Sequence, residues 1–141
     1  MADPRADIEF DGIKAEFVTF AIDDSTITFD ATKAGGSAQV GLAVAFSASG
    51  TVELAGDGEE VVGKLISVEK DGFCTVQTAG YMTLPAGTSA SLTPGKKIVG
   101  DLLVSAEGYI REVATGTAAE LGVARGMIVD ASVTTAVRVR L

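Results

Sequence analysis

The strongest constraint on this chain is an alternation of apolar and polar residues with period two, interrupted every few residues by glycine. Residues 133–141 carry it most cleanly. Val133, Thr135, Val137, Val139 and Leu141 share one parity, and Thr134, Ala136, Arg138 and Arg140 the other. Successive side chains on a strand point to opposite faces, so the pattern predicts a half-buried strand rather than a helix. Val40, Leu42, Val44 and Phe46 repeat it, with Gln39, Gly41, Ala43 and Ala45 facing the other way. In residues 13–22 the parity switches, from Ile13, Ala15 and Phe17 to Val18, Phe20 and Ile22. One inserted residue exchanges the faces of a strand, so a β-bulge near Phe17-Val18 reconciles the two halves.

The turns follow from the residues between these runs. Lys70-Asp71-Gly72 separates apolar stretches at 61–69 and 73–84. A two-residue loop would set Ile66 against Gln77 and Val68 against Thr75. A three-residue loop sets Val68 against Cys74 and Ile66 against Val76, apolar on apolar, and places Gly72 at the left-handed bulge position. Thr93-Pro94-Gly95-Lys96 fits a type II turn, because Pro presets φ and Gly supplies a positive φ. Ala106-Glu107-Gly108 separates strands at 97–105 and 109–114, and residues 117–122 form the one helical turn, capped by Thr117 and stopped by Gly122. About ten short strands with at most one short helix predict an all-β fold, a small antiparallel β-barrel or sandwich carrying an extended N-terminal arm.

Charge separates the arm from the rest. The net charge is −8, and the first 30 residues hold eight acids against Arg5 and Lys14. Residues 1–12 therefore read as an acidic arm and 13–141 as a single β domain, a length able to bury about two-thirds of its unfolded surface. The arm is either a solvated terminus or a segment that orders against a partner, with Ile8 and Phe10 as apolar anchors. The acidic balance argues against direct nucleic-acid binding, since phosphate contacts need clustered Lys and Arg. Residues 34–52 carry no charge but are rich in Gly, Ser and Ala, so no membrane span is expected, and the acidic start lacks the apolar core of a signal peptide.

Chemistry-bearing groups are sparse. The chain has no His, which removes His-dependent acid–base catalysis and His-ligated metal, and its one Cys cannot form an internal disulfide. Gly56-Asp57-Gly58-Glu59-Glu60-Val61 begins like a dinucleotide fingerprint, but Val61 stands where a Gly is needed and no helix follows. Gly95-Lys96-Lys97 lacks the spaced upstream Gly and the Ser or Thr of a phosphate loop. Asp23-Asp24 and Glu59-Glu60 are adjacent pairs that diverge on a strand, and Cys74 reads as a small core residue. No catalytic, cofactor or metal site is expected. Arg138 and Arg140 share one face about 6.7 Å apart. They either pair with cross-strand acids or receive the acidic arm of a neighbouring subunit. Residues 72–95 carry no charge at all, so Tyr81, Met82 and Leu84 belong either to a turn-rich β segment or to a surface buried between subunits.

Three stretches carry a family resemblance. They are Gly58-Glu59-Glu60-Val61-Val62-Gly63-Lys64-Leu65-Ile66-Ser67-Val68 with Gly80-Tyr81-Met82-Thr83-Leu84-Pro85, then Leu92-Thr93-Pro94-Gly95-Lys96-Lys97-Ile98-Val99-Gly100-Asp101, then Glu120-Leu121-Gly122-Val123-Ala124-Arg125-Gly126-Met127-Ile128-Val129 with the closing Val-rich strand. Over residues 38–141 the chain resembles the small capsid cement, or head decoration, proteins of tailed bacteriophages. The family includes a group sometimes labelled a predicted recombinase, and the absence of a phosphate loop in this chain speaks against that label. The resemblance implies a non-enzymatic virion protein on the capsid exterior, made in the host cytoplasm. It implies the major capsid protein as partner, a homotrimer as the assembled form, no cofactor, and no nucleic-acid or membrane partner. Other classes stand beside it: another β-rich virion part such as a head fibre, tail-tube or joining subunit, a carbohydrate- or ligand-binding β module, or an enzyme built on carboxylates alone.

Overall fold

The computed structural model describes residues 12–88, 92–114 and 117–141. Ten strands and one short helix follow in order: β1 Glu16–Ile22, β2 Ala43–Ala48, β3 Thr51–Leu54, β4 Gly63–Val68, β5 Phe73–Ala79, β6 Tyr81–Leu84, β7 Ile98–Leu103, β8 Ala106–Glu112, α1 Ala118–Val123, β9 Met127–Asp130 and β10 Val137–Arg140. The fold is all-β, as the period-two pattern requires. Five strands close a barrel in the order β1-β3-β2-β4-β5, and β5 returns to β1. The expectation of an antiparallel barrel is corrected at one seam. β1 and β3 run parallel, joined only at Ala21↔Thr51 and Ile22↔Val52. A three-stranded sheet β6-β10-β9 and the hairpin β7-β8 lie outside the barrel.

Two apolar clusters hold these layers. Ile22, Val44, Val52, Leu65, Cys74 and Val76 fill the barrel, so Cys74 is indeed a core residue. Ala43, Ala45 and Val61 on the barrel's outer side pack against Leu84, Ile128 and Val139 of the outer sheet. This corrects the half-buried reading of β2. Ala43, Val44 and Ala45 are all buried, because a second layer covers the face that alternation assigned to solvent. The small alanines are what let that layer approach. The pattern's large residue, Phe46, is instead half-exposed at the barrel mouth.

Register departs from expectation in instructive places. The β4–β5 loop is Lys70-Asp71-Gly72 with Gly72 at φ +87° and Val68 opposite Cys74, as read from the sequence. Beyond that pair a bulge at Ile66 puts Leu65, not Ile66, opposite Val76, which delivers Leu65 to the barrel interior. The irregularity expected at Phe17-Val18 falls between Glu16 and Phe17, and its extra residue is Thr78 on the partner strand. Residues 73–84 do not form one strand. Gly80 at φ +93° breaks the run and carries the chain out of the barrel into the outer sheet. A Cβ there would lie 2.6 Å from the carbonyl oxygens of both Ile13 and Lys14.

The Thr93-Pro94-Gly95-Lys96 turn is as expected, with Gly95 at φ +92° and the Lys96 N–H donating to Thr93 O at 3.1 Å. The β7–β8 turn is not at Ala106-Glu107-Gly108 but at Val104-Ser105, since Leu103 pairs with Ala106. In α1 the Thr117 side chain makes no cap bond, and Gly122 lies inside the helix rather than ending it. The final strand is shorter than its pattern. Val137 and Val139 are buried with Arg138 and Arg140 on the other face, whereas Val133 is exposed before the strand begins.

Candidate docking surface

The residues singled out from the sequence separate into three groups. Met82 and Leu84 are buried within the chain's own second cluster, so they are removed from the candidate surface. Their parity on β6 faces Val137 and Val139 of β10, and this intrachain packing explains the apolar run without a second subunit. Ile8 and Phe10 lie outside the described residues. Tyr81, Arg138 and Arg140 remain.

Tyr81 and Arg140 are brought together, since they are register partners across β6 and β10. With Lys14, Ala79, Gly80 and Leu141 they line an open groove of about 350 Å³. The N-terminal segment is rooted beside it: Gly12 N–H donates to Tyr81 O at 2.9 Å, and Tyr81 N–H donates to Ile13 O at 3.0 Å. Two cations, Lys14 and Arg140, thus stand where the acidic residues 1–11 join the body. Arg138 plays another part. It lies opposite Asp130 on β9, with Nη1 3.5 Å from Oδ2, the cross-strand pairing that was the alternative reading of this residue. An ion pair of this partly exposed kind is worth under about 1 kcal/mol.

The structure also assembles charged groups that the sequence did not join. Arg111 on β8 reaches Glu120 of α1 through both terminal nitrogens, donates to Asp57 Oδ1 from Nε at 3.0 Å, and lies 3.9 Å from the buried Asp101. Glu120 Oε2 also accepts from the Ala114 N–H at 3.2 Å. The hydrogen bonds that Arg111 donates hold the Glu120 carboxyl below its ordinary range, and their acceptance by Glu120 pushes the guanidinium upward. Both partners therefore stay ionised near neutrality and neither is poised to exchange a proton, so the cluster fastens α1 to β8 and the 56–58 turn. Arg125 is a second fastener. Nη1 donates to Val61 O at 3.3 Å and Val62 O at 3.1 Å, and Nη2 donates to Thr78 O at 3.0 Å. The carbonyl of the bulged Thr78 is thereby satisfied.

Acids crowd one side of the barrel. Burial, then the charges of Glu59, Asp23 and Glu107, push the Glu53 carboxyl up. Glu59 and Glu60 rim a groove of about 380 Å³ whose walls include Ala45, Phe46, Val62 and Val123. Among the described residues no group of three or more Cys, Asp or Glu is arranged to hold a metal ion, and no helix is long and apolar enough to cross a membrane.

The most informative surface feature is aromatic. Four of the five described phenylalanines are exposed, among them Phe17 at 57%, Phe46 at 52% and Phe73 at 48%, and the fifth, Phe20, is only partly buried. The interior is instead built from Val, Ile, Leu and Ala. Phe73, opposite Ala21, and Phe17, further along β1, share the outer face of the β1–β5 pair, whereas Phe46 on β2 has the interior parity of its partner Val52 and sets its ring 5.3 Å from Phe20 in an edge-to-face contact. The three rings are thus exposed on two faces of the barrel wall rather than in one patch, and exposed aromatic side chains are common anchors at protein interfaces. A sequence signal existed: a chain with no Trp and six Phe whose strands are rich in Val and Ala can fill a core without its rings. Comparison with known proteins returns no match to a family model, a curated protein or a solved structure.

Proposed function

We propose that this chain is a structural cement protein of a bacteriophage head, binding the outer surface of the shell and bridging its capsomers without catalysing a reaction. The observation that carries this reading is the exposure of four phenylalanines on a β-barrel body. Exposed rings on an acidic domain without converging acid–base groups suit protein docking better than turnover. Two further features support it: the resemblance carried by residues 38–141, and an acidic segment rooted at Tyr81 beside Lys14 and Arg140. Strand-like addition of such a segment to a partner gains backbone hydrogen bonds with few side-chain anchors. Many copies on a shell multiply weak single contacts through effective concentration. In this reading Arg140, with Lys14, receives acidic residues from the arm of a neighbouring copy, and three copies associate as a trimer.

The test is cosedimentation of the chain with purified expanded heads. Deleting residues 1–11 leaves the Gly12–Tyr81 bond in place. The shortened chain is expected to keep its circular dichroism spectrum and to lose shell binding. Undiminished binding refutes the arm's role, and failure of the full chain to bind any shell refutes the cement reading. Light scattering tests the trimer separately, and a strict monomer both free and on shells rules it out.

A further inference from the structure

The barrel is closed at only one end of its parallel seam. Ala21 N–H donates toward β3, to Gly50 O at 2.9 Å, and Ile22 N–H donates the opposite way, to Gly72 O at 3.0 Å. Backbone direction alternates along a strand, so the N–H and C=O groups of Phe17 and Thr19 also point to the β3 side. β3 never reaches them: it begins at Thr51, opposite Ala21, after the chain has turned at Ser49-Gly50. Among the described residues these two N–H and two C=O groups have no partner. The side chains agree with the backbone. Glu16, Phe17, Val18 and Thr19 are all exposed, although Phe17 and Val18 point to opposite faces of the same strand. Native edges are ordinarily blunted by Pro, by inward-pointing charge or by a covering loop. Among the described residues this one has none of these; its single charge, Glu16, is at the end.

We infer that the open edge of β1 at Phe17–Phe20 is a strand-addition site, and that its occupant is an extended apolar segment of another protein flanked by Lys or Arg. The hydrogen-bonding groups select an extended backbone, and Phe17 on one face with Val18 and Phe46 on the other select apolar side chains. Charge selects the flanks. Glu16 begins β1 and Asp23-Asp24 follow its end, with Lys14 as the cation before it, within a chain of net charge −8. The same local charge opposes the matching acidic stretch of a second copy in this position. The inference is independent of the shell reading, because it concerns where a strand adds rather than which protein supplies it.

The probe is a synthetic peptide, acetyl-Lys-Thr-Val-Thr-Val-Thr-Lys-amide, titrated into the isotope-labelled full chain at low salt and followed by amide NMR. The Phe17 and Thr19 amides are expected to shift to saturation, with exchange slowed at least about 10-fold. A peptide with Glu at both ends is expected to bind at least about 5-fold more weakly. Thr19→Pro deletes an N–H on the open side only, a place where an edge strand tolerates Pro, and is expected to abolish the response. If that variant fails to fold, Phe17→Lys leaves the backbone intact and is expected to weaken binding about 5-fold. The proposal is overturned if the two amides do not respond at about 1 mM peptide, a weak limit for recognition. Equal binding of the Glu-flanked peptide overturns it as well. So do shifts at these amides that depend on protein concentration without peptide, which assign the edge to a second copy. Protection of both amides in the free monomer assigns it to the chain's own residues 1–11 and likewise ends the proposal.

Discussion

Arg125→Met isolates the coupling between the barrel and its outer layer. Arg125 lies just after α1, at the junction with β9, and its backbone pairs with Ile98 of β7 in both directions, at 3.0 and 3.2 Å. Its guanidinium donates to Val61, Val62 and Thr78 at 3.0 to 3.3 Å. Hydrogen bonds from a charged donor are worth about 1.5–3 kcal/mol each, but three bonds to one partly exposed group do not add, and water replaces some of them. Met matches the aliphatic stem and removes only the donors, so the expected loss is about 3 kcal/mol. For a chain of this length that corresponds to a fall in Tm of about 10 °C. Chemical denaturation by circular dichroism and by hydrogen exchange measures it. The Thr78 and Val62 regions should open before the interior of the barrel, since the clamp joins the layers rather than either core. Arg125→Lys should recover at most about 1 kcal/mol, because one ammonium cannot span the three carbonyls. A loss below about 1 kcal/mol for the Met variant refutes the clamp, because water would then serve those carbonyls equally well.

Three other outcomes are expected. Gly80→Ala meets both a positive φ and two carbonyl oxygens at 2.6 Å, and should cost about 3 kcal/mol or more in urea unfolding; a loss under about 1 kcal/mol means that the backbone relaxes there. Val104 is a β-branched residue at φ +62° and 85% exposed, so Val104→Gly should raise stability by about 0.5–1 kcal/mol, read as a higher Tm, unless the turn's conformation is less strained than its φ implies. Asp23 supplies a pH signature. Burial alone would raise its pKa, but the Thr26 and Ile27 amides with the Ser25 and Thr26 hydroxyls outweigh burial and lower it. A depressed folded pKa adds stability that is complete above the unfolded value of about 4 and is lost as pH falls through the folded one. Asp23→Asn should therefore reduce stability at neutral pH and narrow the difference between neutral and strongly acidic solution; an unchanged difference rules out this carboxylate as a source of acid lability.

Turns set by two or three adjacent residues were readable in advance, because the forces that define them are local. Gly72 after Lys70-Asp71 and Pro94-Gly95 each specify φ within the loop itself. The Val104-Ser105 turn was hidden for the same reason: nothing local favours a positive φ at Val, and only the pairing of Leu103 with Ala106 imposes it. Of the residues singled out, Tyr81 and Arg140 lie together in the structure, whereas Met82 and Leu84 are buried. An uncharged run looks the same whether a second subunit or the chain's own β10 covers it.

The sequence by itself determined the all-β class, the parity of most strands and the scarcity of ionisable chemistry, all properties of residue type and short-range spacing. Tertiary structure decided which face of β2 was covered, where Arg111 and Arg125 found their acceptors, and that β1 would meet a parallel neighbour only at Ala21 and Ile22. Those outcomes depend on contacts between residues far apart in the chain, such as Arg125 with Val62 and Arg111 with Asp57, and period-two alternation carries no information about them. The open edge belongs to the same class. Phe17 and Thr19 have ordinary strand residues around them, and among the described residues their outward backbone groups go unpaired because the β2–β3 hairpin turns before it reaches them.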